Sequence, residues 1–231
     1  MEENESVELN FSKQKKKRQK APKEQNPFEP SGIAGSVYSM VHDMACVLAV
    51  IVIVFILAVR LVGVSGISMN PTLVGEIPEL KTMGDYLVLR SNFISSNYQQ
   101  GDIVVASVPG YENGKPIVKR VIATGGQTIT FQIGTDTCMH VYVDDVLQPE
   151  DFINEPMTMN LALNGQPITI PDGCYFLMGD NRNRSLDSRS EQIGIVDGRY
   201  IVGKALWLVF PGQDASNGYA RDWKRLGDIY G

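Results

Sequence analysis

Ser68 is the first residue of the chain whose setting suggests chemistry. It lies in the segment 66–73, Gly-Ile-Ser-Met-Asn-Pro-Thr-Leu, directly after a long apolar run. A serine in a turn is ordinarily a turn residue or a helix N-cap. Here, however, Gly66 and Pro71 restrict the backbone on either side, and the hydroxyl would lie where it could attack a group held in a bilayer. Ser68 is therefore a candidate nucleophile, and such a serine needs a general base.

Neither histidine is a convincing base for Ser68. His42 precedes the apolar run and would lie on the opposite side of a membrane. His140 lies in a strand-like segment with no acidic residue in an obvious orienting position, so a Ser-His-Asp triad has little support. A lysine can serve instead if its amine is neutral. Burial among apolar groups lowers the pKa of lysine from about 10.4 towards roughly 7–8.

Lys119 has the apolar surroundings that such a base requires. It lies within the segment 116–123, Pro-Ile-Val-Lys-Arg-Val-Ile-Ala. In a β-strand, Lys119 would share a face with Ile117 and Val121. Arg120 would point to the opposite face. An edge-strand lysine that prevents aggregation explains the same pattern equally well, so the pattern alone does not separate the two interpretations.

A dense polar segment at residues 178–189 is the third candidate for chemistry. It follows a short apolar strand pattern and contains Ser185, Asp187 and Arg189. Asp187 and Arg189 are suited to a fixed ion pair, and the Ser185 hydroxyl could orient a neutral lysine amine through a hydrogen bond. Such a loop either lies in solvent as an ordinary turn or holds a site rigid.

Short β-rich segments must position these residues. They are rich in β-branched and aromatic side chains and are bounded by Gly, Pro, Asn or Asp, and no long helical period follows residue 65. The pattern predicts a mainly β domain, barrel-like or built of packed sheets. The predicted strands are Tyr86–Leu89, Ile103–Ser107, Pro116–Ala123, Thr128–Ile133, Val141–Val143, Ile168–Ile170, Tyr175–Met178 and Gly203–Val209.

An apolar run at residues 41–64 predicts a single transmembrane helix. Its uninterrupted part, residues 44–59, has no polar face, and Arg60 lies near one end, where its side chain can reach the headgroups. The run begins too late and is too long for a cleaved secretory signal. Lysines and one arginine cluster in residues 13–23, which predicts a cytoplasmic N-terminus and an extracytoplasmic domain at 65–231. A nuclear address or nucleic-acid arm is the alternative interpretation of that basic cluster.

Composition narrows the remaining function classes. Residues 1–40 are polar and charged, which is typical of a disordered tail. The net charge of −5 disfavours nucleic acid as a partner. Three scattered cysteines and two histidines are too few for a zinc site. Cys138 and Cys174 could pair outside the cytoplasm, although the sequence does not show that they do.

Together these segments resemble the bacterial type I signal peptidases. The matching segments occur in the family's order and span nearly the whole chain after residue 65. They are Ser68-Met69-x-Pro71-Thr72, Gly101-Asp102-Ile103-Val104, Lys119-Arg120-Val121 followed by Gly125-Gly126, Gly179-Asp180-Asn181-Arg182 running into Ser185-x-Asp187-Ser188-Arg189, and Gly203-Lys204-Ala205. Each segment alone is a weak signal, whereas the ordered set is highly specific. The single N-terminal anchor resembles the Gram-positive members, and the resemblance favours Lys119 as a base over an edge-strand lysine.

The resemblance implies a membrane-bound serine endopeptidase that removes N-terminal signal peptides from exported preproteins. Ser68 would be the nucleophile, Lys119 the general base, and Ser185 the group that orients the lysine. The implied supporting residues of the polar loop are Asp180, Asn181, Asp187 and Arg189. The implied reaction is acyl transfer, and it needs neither a metal nor an organic cofactor.

The resemblance also implies a substrate preference, with two departures from the family pattern. Family substrates are cut after small side chains at positions −1 and −3, and Val64, Met69 and Ile117 fall where the pocket residues would lie. Gram-negative members carry a serine two residues before the nucleophile that helps to bind the oxyanion, whereas this chain has Gly66. The Ser68 backbone N–H must then contribute more, since losing one such donor typically costs about 10²–10³ in rate. The second departure is Asn183, where many relatives have an acidic residue.

Other function classes remain open at this stage. A membrane-tethered β module that binds peptides or wall components would use the same fold without needing Ser68. A self-cleaving repressor of the LexA type would need a DNA-binding domain where this chain has a membrane span. An inactive relative would not need a complete dyad and polar loop, although a motif is not an activity. The segment 134–167 predicts a small β insertion in the domain, and the oligomeric state is not indicated by the sequence.

Overall fold

The computed structural model describes residues 32–227 and 229. Most of the predicted tail at residues 1–40 lies outside the described residues. An α-helix, α1, is followed by eleven β-strands in the described part of the chain. The strands are β1 Val59–Gly63, β2 Tyr86–Ser91, β3 Ile103–Ala106, β4 Ile117–Thr124, β5 Thr128–Ile133, β6 Met139–Val143, β7 Val146–Leu147, β8 Ile168–Thr169, β9 Cys174–Met178, β10 Val196–Asp197 and β11 Ile201–Phe210.

Helix α1 runs from Ile33 to Ala58 and has no buried residue. Its mean hydropathy is 2.7, and among the described residues it is the one helix long and apolar enough to cross a membrane. At 1.5 Å per residue it is about 39 Å long, which exceeds the roughly 30 Å of a bilayer core.

The observed helix does not share the limits of the predicted transmembrane segment, residues 41–64. The helix begins at Ile33 and ends at Ala58, and Val59–Gly63 forms β1 instead of a last helical turn. β1 pairs antiparallel with β2, from Val59 opposite Arg90 to Gly63 opposite Tyr86. An apolar composition suits a buried helix and a strand alike, so hydropathy does not show where one gives way to the other.

Two antiparallel sheets make up the β-rich part of the chain. The larger has the order β1-β2-β11-β3-β4-β9-β10, and the smaller has the order β7-β6-β5-β8. The larger order has two ends, β1 and β10, so this sheet is not a closed barrel. The mainly β class predicted from the sequence is confirmed, and each of the eight predicted strands overlaps an observed strand. The pattern missed the short strands β7 and β10, as well as β1.

Buried side chains form three clusters around these sheets. One joins the small sheet to β4 and β9, where the rings of Phe131 and Phe176 lie 6.0 Å apart. A second contains Met69 and Leu73 from the segment after β1, together with residues of β2, β3 and β11. The third includes Val104 and Leu177. Strand β4 therefore crosses a region that is packed on both of its faces, and its early residues lie where a charged side chain would be desolvated.

Candidate active site

The Ser68 loop, defined as residues 65–74, follows β1 and is closed by its own backbone hydrogen bonds. Asn70 N donates to Ile67 O at 3.2 Å, and Leu73 N donates to Met69 O at 2.9 Å. Its second residue is Gly66, whose φ of +77° lies in the left-handed region that favours glycine. These contacts hold the Ser68 side chain in a fixed, partly exposed position on a turn.

Lys119 reaches this serine from the interior of the large sheet. Its Nζ lies 2.7 Å from Ser68 Oγ and 2.9 Å from Val118 O. Strand β4 pairs with β3 at Lys119 and with β9 only from Arg120 onward, but the Lys119 side chain is buried, which argues against the interpretation of a solvent-facing edge-strand lysine. The lysine is only 3% exposed. The sequence pattern left a buried amine and an edge-strand lysine equally open, and the fold buries the amine against the candidate nucleophile.

Burial is the main influence on the Lys119 amine and lowers its pKa to about 8. The charges of Asp187 and Asp180 oppose this effect, and that of Arg189 adds to it. A pKa of about 8 leaves about one tenth of the amine neutral at pH 7, because each pH unit changes the ratio of the two forms tenfold. The site can thus supply a neutral lysine near physiological pH.

The polar loop, defined as residues 179–189, folds back on the end of β9 and is held by Asp187. The Gly179 N–H donates to Asp187 Oδ2 at 3.0 Å, and Arg189 donates from both Nε and Nη2 to the same carboxylate at 2.8 Å. Burial alone would raise the pKa of Asp187, but Arg189 and the Gly179 N–H hold that pKa below its usual value. The expected ion pair is present, and it closes the loop beneath the site.

Asp180 makes the second buried ion pair of the polar loop, with a partner that the sequence did not indicate. Arg120 donates to it from Nε at 2.9 Å and from Nη2 at 2.7 Å. The hydroxyl of Thr72 also donates to Asp180 Oδ2, at 2.6 Å. Strand β4 therefore contributes Lys119 to the Ser68 hydroxyl and the next residue, Arg120, to the carboxylate that binds the Ser68 loop.

Asn181 links the polar loop directly to the backbone on either side of the nucleophile. Its N–H donates to Ser68 O at 3.1 Å, and its Nδ2 donates to Ile67 O at 3.0 Å. The Ser68 loop is therefore attached to the polar loop at Thr72 as well as at Ile67 and Ser68. In the sequence these residues belong to separate motifs, and no contact between the motifs could be predicted from it.

Ser185 does not make the hydrogen bond to Lys119 that the resemblance implied. Its Oγ is buried and meets no hydrogen-bond geometry within the described residues, although it lies close enough to Asp187 to help lower the pKa of that carboxyl. It lies against Gly179, since a Cβ built there would be 2.2 Å from Ser185 Oγ and 2.4 Å from Ser68 O. Glycine is thus required at position 179, where Ser185 and the Ser68 backbone converge. The amine of Lys119 bonds to Ser68 and Val118 instead.

The three candidate pocket residues lie at different depths. Val64 and Met69 are 3% and 1% exposed and belong to the core cluster beneath the Ser68 loop. Ile117 is only partly buried, two residues before Lys119 on β4. The assignment of these residues to substrate pockets stays a prediction, with Ile117 the most accessible of the three.

His140 has a carboxylate partner that the sequence did not indicate. Its Nε2 lies 3.1 Å from both carboxylate oxygens of Asp136, so the expectation that it lacks an acid partner is wrong. The pair belongs to the β5–β6 hairpin, whereas Ser68 Oγ is bonded by Lys119.

Cys138 and Cys174 are free thiols. Among the described residues, no group of three His, Cys, Asp or Glu side chains is arranged to hold a metal ion.

Comparison with known proteins assigns the family. A family model described as signal peptidase, peptidase S26, matches residues 37–210. The chain belongs to the signal peptidase family. A probable signal peptidase I-1 of Synechocystis is 36% identical over 171 residues, which cover 70% of this chain and 72% of the relative. A signal peptidase I of Bacillus licheniformis is 32% identical over 174 residues, which cover 73% of this chain and 84% of the relative.

A solved signal peptidase I from Enterococcus faecalis is also similar, with 27% identity. The match covers 47% of this chain and 96% of that chain, with a TM-score of 0.36. That score is too low to add to the fold assignment, which comes from the strand order. The family and the named relatives make the chain a type I signal peptidase by class, a hydrolase that acts on preproteins. An enzyme is thereby favoured over the non-catalytic binding module.

Proposed function

We propose that this signal peptidase cleaves preproteins through a Ser68 nucleophile and a Lys119 general base. The observation that carries the proposal is the 2.7 Å separation of Lys119 Nζ and Ser68 Oγ. A nucleophile and its base must lie within hydrogen-bond reach, and a lysine base must be neutral. The buried amine, with its lowered pKa, meets the second requirement as well.

The reaction then proceeds by acyl transfer in two halves. Neutral Lys119 takes the proton of Ser68 Oγ as that oxygen attacks the scissile carbonyl carbon. The resulting ammonium gives the proton to the leaving nitrogen, the C–N bond breaks, and an ester to Ser68 remains. Lys119 next takes a proton from water, whose oxygen attacks the ester. Departure of Ser68 Oγ, with that proton returned to it, releases the acyl product and restores the enzyme.

The backbone N–H of Ser68 is the candidate oxyanion donor. It makes no hydrogen bond to any described residue, so it is available to a developing negative charge. Position 66 is glycine and provides no side-chain donor. This arrangement supports an oxyanion hole that depends on the main-chain N–H of Ser68 more than the oxyanion hole of relatives with a serine at position 66 does.

The edge of β4 that β9 leaves unpaired is suited to binding an extended peptide. β4 pairs with β9 only from Arg120 onward, opposite Met178. Residues 117–119 pair with β3 on one side and with no described strand on the other. A preprotein segment could add there as a further strand, with its carbonyl beside Ser68. Small side chains at −1 and −3 would contact Ile117, with Val64 and Met69 forming the floor of the pockets.

Cleavage of a synthetic preprotein with an Ala-x-Ala site tests the dyad. Detergent-solubilised wild type should cut after the second alanine, and Ser68→Ala and Lys119→Ala should each abolish the product. Ser65→Ala and Lys115→Ala are matched controls, because both side chains are exposed and close in sequence. Both controls should cleave normally. Full cleavage by either dyad variant would refute the proposed mechanism.

We also propose that α1 anchors the chain with its N-terminus in the cytoplasm. The support is the apolar length of α1 and the basic cluster that precedes it in sequence. Protease added to intact cells or spheroplasts should digest the domain at residues 65–231 in this orientation. Digestion that requires detergent would mean that the orientation is reversed.

A further inference from the structure

Thr72 is held through two different atoms by two distant parts of the chain. Its hydroxyl donates to Asp180 Oδ2 in the polar loop at 2.6 Å. Its carbonyl oxygen accepts from Arg225 Nη2 at 2.9 Å. The polar-loop contact belongs to motifs that the sequence already indicated. The Arg225 contact comes from a 3-10 turn, Trp223–Arg225, near the C-terminal end of the described residues.

Arg225 is itself fixed by a buried carboxylate. Its Nη2 and Nη1 donate to the two oxygens of Asp85, at 2.7 and 3.1 Å. The Asp85 side chain is fully buried and also accepts from the Val74 N–H of the Ser68 loop, at 2.8 Å. The planar guanidinium can bind the carboxylate and the Thr72 carbonyl at once, which a single ammonium cannot do in the same geometry.

The segment that carries Arg225 is docked onto the β-rich part of the chain. The Gly227 N–H donates to Leu208 O at 2.8 Å. Ile229 is buried and belongs to the same core cluster as Met69 and Leu73 of the Ser68 loop. These residues lie beyond position 210, where the match to the family model ends. No role for them therefore comes from the family assignment.

We propose that Arg225 is a positioning residue for the nucleophile, an inference that rests on the assignment of Ser68 above. Thr72 is four residues from Ser68, and the loop between them is tied by the bond from Leu73 N to Met69 O. Asn181 fixes the N-terminal half of the loop, and Arg225 with Asp85 fixes the C-terminal half. Releasing one half allows Ser68 Oγ to move away from Lys119, and displacements of about 1 Å can cost on the order of 10²-fold in rate.

A purely structural role for Arg225 predicts different behaviour. If the ion pair only fastens the C-terminal segment, its loss lowers stability while every molecule that remains folded works at the normal rate. If Arg225 positions Ser68, folded molecules bind substrate normally but react slowly. The turnover number of the folded enzyme and its KM therefore separate the two roles.

Arg225→Lys and Arg225→Met in the full-length, detergent-solubilised enzyme test the proposal. Arg225→Lys keeps a cation beside Asp85, so we expect near-normal melting but a kcat per folded molecule reduced about tenfold, with KM changed less than about twofold. Arg225→Met should lose at least as much kcat and also melt earlier, since it leaves a buried carboxylate unpaired. The neighbouring exposed residue supplies the control, because Lys224→Met removes the same charge without these contacts.

The outcomes distinguish this inference from the proposed dyad. A normal kcat per folded molecule in Arg225→Lys would overturn the positioning role, even if Arg225→Met fails to fold. Equal losses in Arg225→Lys and Lys224→Met would also overturn it, by showing a general effect of charge or sequence at the turn. Activity that survives Ser68→Ala would instead refute the dyad itself. Loss of kcat confined to the Arg225 variants, with Ser68→Ala inactive, supports both.

Discussion

Lys119 Nζ and Ser68 Oγ lie 2.7 Å apart although 51 residues separate them in sequence. The fold achieves this by running β4 through the packed interior of the large sheet and by fastening the Ser68 loop to the polar loop. The same burial that brings the amine to the serine also lowers its pKa to about 8. The position of the Lys119 amine and its protonation therefore both follow from its burial, and each can be tested separately.

The cleavage rate should follow the deprotonation of Lys119. Only the neutral amine can accept the Ser68 proton, so kcat/KM should rise about tenfold per pH unit below the pKa and level off above about 8. A substrate without ionisable groups near the cleavage site keeps the profile that of the enzyme. An inflection near 6.5 would point to a histidine instead, and His140→Ala would then abolish activity.

Removal of the Lys119 charge should stabilise the fold in a pH-dependent way. The folded-state pKa of about 8 lies below the ordinary value of 10.5, so the unfolded chain binds the proton more tightly. The free-energy cost of burying the charged amine is fully present below about pH 8 and disappears as the pH rises towards 10.5. Lys119→Met should therefore melt at a higher temperature than wild type at pH 7. Its free energy of unfolding should be larger by up to roughly 3 kcal/mol.

The comparison of wild type and Lys119→Met at each pH cancels the titration of other groups. Tyr98, whose pKa is raised to about 12 mainly by burial, is common to both proteins. The stability difference should shrink steadily between pH 8 and pH 10. A difference that stays constant over this range would mean that the amine is not desolvated as the structure indicates.

Much of the site could be predicted from residue types because its chemistry restricts them. A lysine within an apolar β-strand pattern is compatible with a desolvated amine, which the family resemblance favoured, and the Asp187 to Arg189 spacing of two residues suits a local ion pair. The structure contains both features. Strand positions followed from β-branched patterns with turn residues between them, because local propensity and burial agree there.

Contacts between distant segments could not be predicted in this way. Arg120 and Asp180 are 60 residues apart, and Arg225 and Thr72 are 153 apart. No local period links such pairs, since their contact depends on which strands become neighbours in the sheet. The limit of α1 at Ala58 was missed for the same reason, because β1 forms only where β2 offers a partner. The implied Ser185 bond to Lys119 came from resemblance and is not present in this structure.

The Asp187–Arg189 pair should be important for stability as well as for loop geometry. The Asp187 side chain is fully buried, so Arg189→Met leaves a buried carboxylate with its main partner removed. Breaking a buried pair in this way typically costs about 3–5 kcal/mol. Because the pKa of Asp187 is held below its usual value, this pair's contribution is present near neutral pH and is lost as the solution becomes strongly acidic.

The double variant Asp187→Asn/Arg189→Met is the control for that cost. It removes both charges, and the asparagine oxygen can still accept from the Gly179 N–H. Thermal melting at pH 7 should therefore show the double variant above Arg189→Met. A double variant that melts with or below the single one would mean that the packing of Arg189, not charge compensation, is what stabilises the loop.

Ser185→Ala should separate stability from catalysis most clearly. The Ser185 hydroxyl meets no hydrogen-bond geometry with a described residue, and its effect on the pKa of Asp187 is the smallest of those that act on that carboxyl, so its removal should change the melting temperature little. From the family resemblance, we propose that the Ser185 hydroxyl forms a hydrogen bond with the Lys119 amine once that amine has left Ser68. In that case Ser185→Ala should lower kcat by at least about tenfold, which is the order of effect of one positioned hydrogen bond. The exposed neighbour in Arg184→Ala should keep normal kcat. Normal turnover in Ser185→Ala would remove Ser185 from the catalytic cycle, and a large loss of stability would show that its hydroxyl has a partner in the folded enzyme.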